Sequence, residues 1–252
     1  MQLIYIVLFL AVRLAAFSQA VDTVPHFERG NTLYNEGKFT EAIREYQKIT
    51  DSGMHSAELY YNLGNAYYKL NDIANSIFYY EKALQLDPDD KDILNNLTYA
   101  QNAKIDVIDT LPKSAFQKYW RPIVFATHYD GWAWISVVLM IAFVVLFILY
   151  YQASSALQKR LFFTCAWIGL AFGILSMALA YQQYSILQKE LYAIVFAPKA
   201  EVKSEPNRRS EEAFELHPGT KVRIIGSVED WNKIRLSDGK EGWIPSEAIK
   251  KL

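Results

Sequence analysis

One cysteine, Cys165, stands among 252 residues, so no disulfide can staple the chain internally. Any folded domain in it must be stable on its own core. Histidine is nearly as scarce: His26, His55, His128 and His217 are dispersed without metal-ligand spacing, so no zinc or other cofactor site is visible. The formal charge is −1 and no segment is strongly basic, which excludes nucleic acid as the expected partner. Catalytic signatures are missing as well. There is no GxSxG elbow, no phosphate loop and no pair of acids in an apolar setting. Asp89-Asp90 and Glu211-Glu212 read as solvated turn and loop residues. The expectation is a chain that is not an enzyme and needs no cofactor.

Long apolar runs are what the sequence has in their place. Residues 132–151 (WAWISVVLMIAFVVLFILYY) and 161–181 (LFFTCAWIGLAFGILSMALAY) carry no charge. At about 1.5 Å per residue, a helix of roughly 20 residues crosses the roughly 30 Å hydrocarbon layer of a bilayer. The short stretch between them, 152–160, is expected to be a tight turn, making the runs a transmembrane hairpin whose flanks share one side. That turn ends in Lys159-Arg160 without an acidic residue, which favours the cytoplasm, although Lys118, Arg121 and Lys189 vote from the other end. Residues 3–12 are an apolar core too short to span, and Ser18-Gln19-Ala20 supplies small residues for cleavage, so 1–20 is expected to be a signal peptide. The segments on either side of the hairpin are then expected outside the cytoplasm. No acid, base or histidine lies within either run, which argues against an ion path. In the second run Ala166, Gly169, Gly173, Ser176 and Ala180 share a helical face. Gly169 and Gly173 are expected to pack against the first run in preference to a helix of another protein.

Before the hairpin the text repeats. Gly30 and Gly64, Tyr34 and Tyr68, Ala42 and Ser76, Tyr46 and Tyr80 all lie 34 positions apart. Each unit reads as a helix, a polar turn (Asn35-Glu36-Gly37, then Asn71-Asp72) and a second helix, the second unit closing at Asp87-Pro88. The pattern resembles the tetratricopeptide repeat, with Tyr60, Leu63, Gly64, Tyr67, Ser76, Tyr80, Ala83 and Pro88 on the signature positions. The first unit departs from it, with His26 and Arg29 at two of those positions. A third first-helix, 92–104, is expected to cap the stack, so the repeat region spans 23–104.

The resemblance implies a concave groove lined by first helices. Register brings Asn31, Asn65 and Tyr99 to one position and Tyr34, Tyr68 and Asn102 to another. Two readings stay open: these residues hydrogen-bond and wall an extended protein segment, or they serve neighbouring helices. The third helix lacks the cations with which some relatives grip a C-terminal carboxylate.

Residues 105–131 form the connector. Phe116, Tyr119, Trp120, Ile123 and Val124 recur at helical spacing, so this stretch is either a helix lying in the membrane interface or a linker packed on the repeats. Residues 190–252 change to short strands at 191–196, 221–226, 232–236 and 241–244, with Asp238-Gly239 as a hairpin turn. Leu216–Thr220, Asp230-Trp231 and Gly242–Ser246 make this part resemble the bacterial form of the SH3 fold, a small all-β barrel. Trp231 and Pro245 match two of the family's ligand-contacting positions, whereas Ala193–Phe196 replaces its tyrosine-rich motif and Ala248 its final tyrosine. Trp243 is expected in the core.

The expected fold class is thus multidomain: an all-α tetratricopeptide-repeat stack, a two-helix transmembrane hairpin and a C-terminal all-β SH3-like barrel. That order resembles the BatE-like membrane proteins of the Bacteroides aerotolerance group. The resemblance implies a Gram-negative inner-membrane protein with both domains periplasmic, and a role in aerotolerance or envelope stress. It also implies partners among membrane proteins with von Willebrand-type domains. The leading expectation is a non-enzymatic scaffold; the alternative is an envelope receptor whose SH3-like domain binds cell-wall peptide or glycan.

Overall fold

The computed structural model describes residues 24–109, 111–112 and 115–252, and the expected signal peptide at 1–20 lies outside them. The chain divides into two bodies. Residues 24–109 and 192–252 make one, and 110–191 make the other.

Five helices build the first part of the first body: α1 Val24–Asn35, α2 Phe39–Asp51, α3 Ala57–Lys69, α4 Ile73–Leu86 and α5 Lys91–Asn102. Their ends are written locally. Ser56, Asp72 and Asp90 cap α3, α4 and α5 by accepting from backbone N–H groups of the first turn. The turn after each first helix needs a residue in the left-handed region. Gly37 (φ 77°) supplies it in the first unit and Asn71 (φ 59°), 34 positions on, in the second.

Within each unit the two helices approach until a tyrosine ring lies flat on a glycine. A methyl group on Gly30 would sit 2.3 Å from the Tyr46 ring, and one on Gly64 would sit 2.5 Å from the Tyr80 ring. Both tyrosines are essentially fully buried. At the third equivalent position stands Thr98, exposed, because α5 has no second helix to receive. Leu59, Leu63, Ile77, Ile93 and Leu97 fill the core between the glycine contacts.

Seven strands follow: β1 Leu191–Val195, β2 Ala200–Lys203, β3 Glu212–Leu216, β4 Lys221–Val228, β5 Trp231–Arg235, β6 Glu241–Pro245 and β7 Ile249–Lys251, with a 3₁₀ turn at Ser246–Ala248. They form one sheet in the order β3-β2-β6-β5-β4-β1-β7. β2, β3 and β7 lie where the sequence had signalled no strand, since each is short and two carry glutamates on their outer faces. Gly239, at φ 90°, turns the chain between β5 and β6 at the expected hairpin. Val195, Val202, Val222, Ile234 and Ile244 make the sheet's core.

Repeat stack and sheet are one body, and α4 is the seam. Ile194 belongs to the repeat core, and Phe196 and Leu252 pack on it. Phe78 meets Phe196 edge to face with centroids 5.9 Å apart, and Lys250 Nζ lies 4.3 Å from the Phe78 ring centre. Glu81, buried on α4, takes a 2.6 Å bond from Lys221 Nζ. Asp106, in the stretch that leaves α5, fastens the turn before β4. It accepts from the His217 N–H at 2.7 Å and from the Thr220 hydroxyl at 2.5 Å, and pairs with His217 Nδ1 at 2.8 Å. Burial pushes the Asp106 carboxyl up, but these partners outweigh it and hold the group below the ordinary aspartate value.

The second body holds α6 Ala115–Val124, α7 Tyr129–Gln152 and α8 Ala156–Lys189. α7 and α8 are both long and apolar enough to cross a membrane. Little of their most apolar stretches is buried within the chain, 6% and 17%. The turn is shorter than expected. Helix continues through both ends of 152–160, leaving Ala153–Ser155 as the only non-helical residues, and α8 runs eight residues beyond the apolar stretch ending at Tyr181. Hydropathy marks where charge begins, not where helix ends.

Candidate functional site

Two readings stood open for Asn31 and Asn65, a ligand-facing one and one in which they serve neighbouring helices. The structure commits their acceptor oxygens to the scaffold. Asn31 Oδ1 accepts from the Tyr46 hydroxyl at 2.7 Å and from Asn62 Nδ2 at 3.1 Å. Asn65 Oδ1 accepts from the Tyr80 hydroxyl at 2.6 Å and from Asn96 Nδ2 at 2.8 Å. The two networks are the same device one repeat apart. A buried tyrosine on the second helix reaches its own first helix, and an asparagine on the next first helix closes the triad. A buried hydroxyl needs such a partner, and burial raises both tyrosines' pKa, so each stays a neutral donor.

The tyrosines behave differently. Tyr34, Tyr68 and Tyr99 come together with Asn65 around a concave pocket of about 270 Å³. Tyr61, Lys69, Tyr80 and Asn96 complete its wall, and Asn31 is not part of it. Tyr99 is 58% exposed and Tyr68 37%, so their rings are free to take a guest. Tyr34 is half-buried, propped by Phe39 at 5.3 Å, and burial followed by the neighbouring Tyr61 raises its pKa. Asn96 Nδ2 also reaches the Tyr61 hydroxyl at 3.0 Å, which ties this pocket wall to the α3–α5 contact. Lys69 is the single charge in the lining. The pocket therefore offers aromatic faces and neutral hydroxyls.

Sequence reasoning missed Tyr61, Lys69 and Asn96. Asn96 carried a signal, since it repeats Asn62 at the 34-residue period.

A second pocket, of about 480 Å³, lies on the sheet. Trp231 and Pro245 face each other across β5 and β6 and both line it, as does Ala248. A small side chain thus stands where the SH3 resemblance would place a ring. The rim is charged in pairs: Lys203 with Glu201 at 2.7 Å and Arg208 facing Glu247 at 3.9 Å. The side-chain bond from Lys203 holds the Glu201 carboxyl below its usual value. Trp243, expected in the core, is on the outer face and half-buried. Strand alternation explains it: Gly242 and Ile244 point inward, so Trp243 and Pro245 point out.

In the second body Gly173 meets α7. A methyl group there would lie 3.4 Å from Leu139 Cβ, and Ser136 Oγ donates to the Gly173 carbonyl at 2.9 Å. At Gly169 the nearest such atom is the Leu139 carbonyl oxygen at 4.0 Å. Both glycines thus face the chain's own first apolar helix. The spacing is ordinary van der Waals contact with room for alanine.

Comparison with known families agrees with these two folds. The tetratricopeptide repeat family matches residues 57–90, and a further TPR repeat family matches 30–71. The bacterial SH3 domain family matches residues 199–250. No curated protein matches the chain. The repeat stack and the SH3 domain are both kinds of module that act through protein–protein contact, and the chain is similar to each over the part named.

Proposed function

We propose that this chain is a non-enzymatic scaffold, anchored in a membrane by α7 and α8, that holds an extended segment of a protein partner in the repeat groove. The observation that carries the reading is the convergence of Tyr34, Tyr68 and Tyr99 from three successive first helices on one open pocket. Tyr34 and Tyr68 hold the same repeat position and Tyr99, at the position of Asn31 and Asn65, adds a third ring, so a bound chain meets aromatic footholds from three helices, and the one cation, Lys69, imposes no strong charge preference.

The finer reading follows the order of parts. Both domains lie in the periplasm, the hairpin sits in the inner membrane of a Gram-negative cell, and the partners are von Willebrand-domain membrane proteins of a BatE-like aerotolerance complex. Its support is the domain order together with the Lys159-Arg160 turn.

Peptides selected from a displayed library against the detergent-solubilised full chain test the groove. Binding of the selected peptides should fall at least tenfold in Tyr68→Ala and Tyr99→Ala and be unchanged in Trp231→Ala. The reverse pattern, loss with Trp231→Ala alone, would move the site to the sheet. That is the second reading, an envelope receptor for cell-wall peptide or glycan, and the 480 Å³ pocket with Trp231 and Pro245 in its wall favours it. The compartment is tested by protease protection of tags at Leu252 and in the Ala153–Ser155 turn, in intact and outer-membrane-permeabilised cells.

A further inference from the structure

Among the described side chains of helix α6 two apolar sets stand out, and the body that holds the helix covers only one. Val124, fully buried, points inward, and its carbonyl accepts from the Trp132 indole N–H at 3.0 Å. Arg121 ties the same helix to the end of α8 through a 2.9 Å bond to Glu190. On the opposite side Tyr119 is 70% exposed and Ile123 50%, one helical turn apart, with Lys118 exposed beside them and its Nζ 6.0 Å from the Tyr119 ring centre.

The ties fix where that open face lies. Trp132 begins the apolar run of α7, and Glu190 follows the last residue of α8. At the same end the Tyr129 and Tyr184 rings meet 5.9 Å apart. Amphipathic rings collect at this level of a membrane protein. α6 is therefore held at one mouth of the hairpin, at the end of α7 where its exposed apolar residues start with Trp134 and Ile135. Pro122, inside α6, has no N–H to give the Lys118 carbonyl. The loss of that helical bond costs less among headgroups and water than in hydrocarbon.

We propose that α6 is a lipid-binding interfacial helix, seating Tyr119 and Ile123 at the headgroup–acyl boundary and placing Lys118 on the phosphates of anionic phospholipid. The proposal rests on the reading that α7 and α8 span the bilayer, and the test separates the two. In the full chain with Cys165→Ala, single cysteines at Tyr119, Ile123, Val144 and Thr98 carry a spin label. The protein is placed in vesicles of phosphatidylethanolamine and phosphatidylglycerol, and collisions with oxygen and with a water-soluble nickel chelate are compared.

Val144, an exposed residue of α7, should read as deep hydrocarbon and Thr98, on the exposed side of α5, as water. Labels at 119 and 123 should read at a depth of roughly 5–10 Å below the phosphates. Lys118→Glu should move the label at 119 outward in these vesicles and leave it unmoved in vesicles of phosphatidylcholine alone. If 119 and 123 read like Thr98 while Val144 stays deep, the helix faces water and the proposal fails while the spanning reading stands. Shielding of both positions from both reagents would mean that protein covers the face, which also overturns it. A Val144 label open to nickel would remove the spanning reading and the proposal together.

Discussion

The second helices of the two repeats, α2 and α4, share one pattern and have different neighbours. Ile43 and Ile77 are buried alike, and Tyr46 and Tyr80 make the same bond to an asparagine. One position further round, Arg44 is exposed where Phe78 is 2% exposed. Gln47 answers to Glu81, which is buried and paired with Lys221. Four of thirteen residues are buried in α2 and eight of fourteen in α4. The positions that agree between the helices build the stack. Those that differ record the sheet that α4 carries on its far side.

Exchanging the differing residues breaks the comparison most sharply. Phe78→Arg gives α4 the residue of α2 and puts a charge against Phe196 and Lys250 without a partner. Loss of the buried ring alone costs about 3–5 kcal/mol, and an unpaired buried charge adds to it. Amide exchange in α4 and β1 of the detergent-solubilised chain should accelerate by at least about a hundredfold. The mirror change, Arg44→Phe, alters a solvated surface and should stay within about 0.5 kcal/mol. Equal effects would mean that α4 carries no more than α2 does.

Asp106 is the next largest lever, because three hydrogen bonds to the sheet end on one carboxylate. Asp106→Ala should destabilise by about 2–4 kcal/mol, since it strands partly buried donors on His217 and Thr220. Stability should also depend on acid. The carboxyl's value is lower folded than its ordinary 3.8, so its contribution is complete above that value and is lost as the pH falls through the depressed one. Denaturation midpoints measured between pH 6 and pH 3 should therefore fall less steeply for Asp106→Ala than for the unaltered chain. Parallel curves would show that the carboxylate does not couple folding to pH.

The glycines test what the repeats have in common. Gly64→Ala places a methyl group 2.5 Å from a buried ring that is held by its own hydrogen bond, so the ring has little freedom to yield. Overpacking of this kind costs about 1–3 kcal/mol, and Gly30→Ala should match it. Thr98→Gly, at the third equivalent position, should cost no more than the helix propensity of glycine, about 0.5–1 kcal/mol. Thermal midpoints of the three variants rank them directly.

How much of this was legible follows from where the information lies. The 34-residue period gave the helices, their turns and the glycine contacts, because each is a local property repeated. Trp231 and Pro245 were named through the SH3 resemblance, and the turn signal at Asp238-Gly239 gave only the hairpin that sets them opposite each other. The Asn31 and Asn65 bonds were not legible, because an asparagine on a first helix reads the same whether its partner is a ligand or a tyrosine 15 positions on. The seam on α4 was missed for another reason. Phe78 and Glu81 lie off the repeat's signature positions, and their partners are more than a hundred residues away. Aromatic crowding in IFYYEKAL, against IREYQKIT one repeat earlier, was the available sign of a second buried face.

The smallest expected change in stability separates wall from frame in the groove. Tyr99 is more than half exposed and lines the pocket, so Tyr99→Ala should leave the denaturation midpoint within about 0.5 kcal/mol of the unaltered chain while weakening the captured segment. Asn65 lines the same pocket, but its oxygen holds Tyr80 and Asn96 together. Asn65→Ala should lower stability by about 1–3 kcal/mol, because the buried Tyr80 hydroxyl loses its acceptor. Any loss of binding in that variant then follows from a loosened wall. Calorimetric unfolding beside peptide titration of both variants reads the distinction. A Tyr99→Ala protein that unfolds early and binds normally would make the ring part of the frame, and the groove would have to be drawn around Tyr34 and Tyr68 alone.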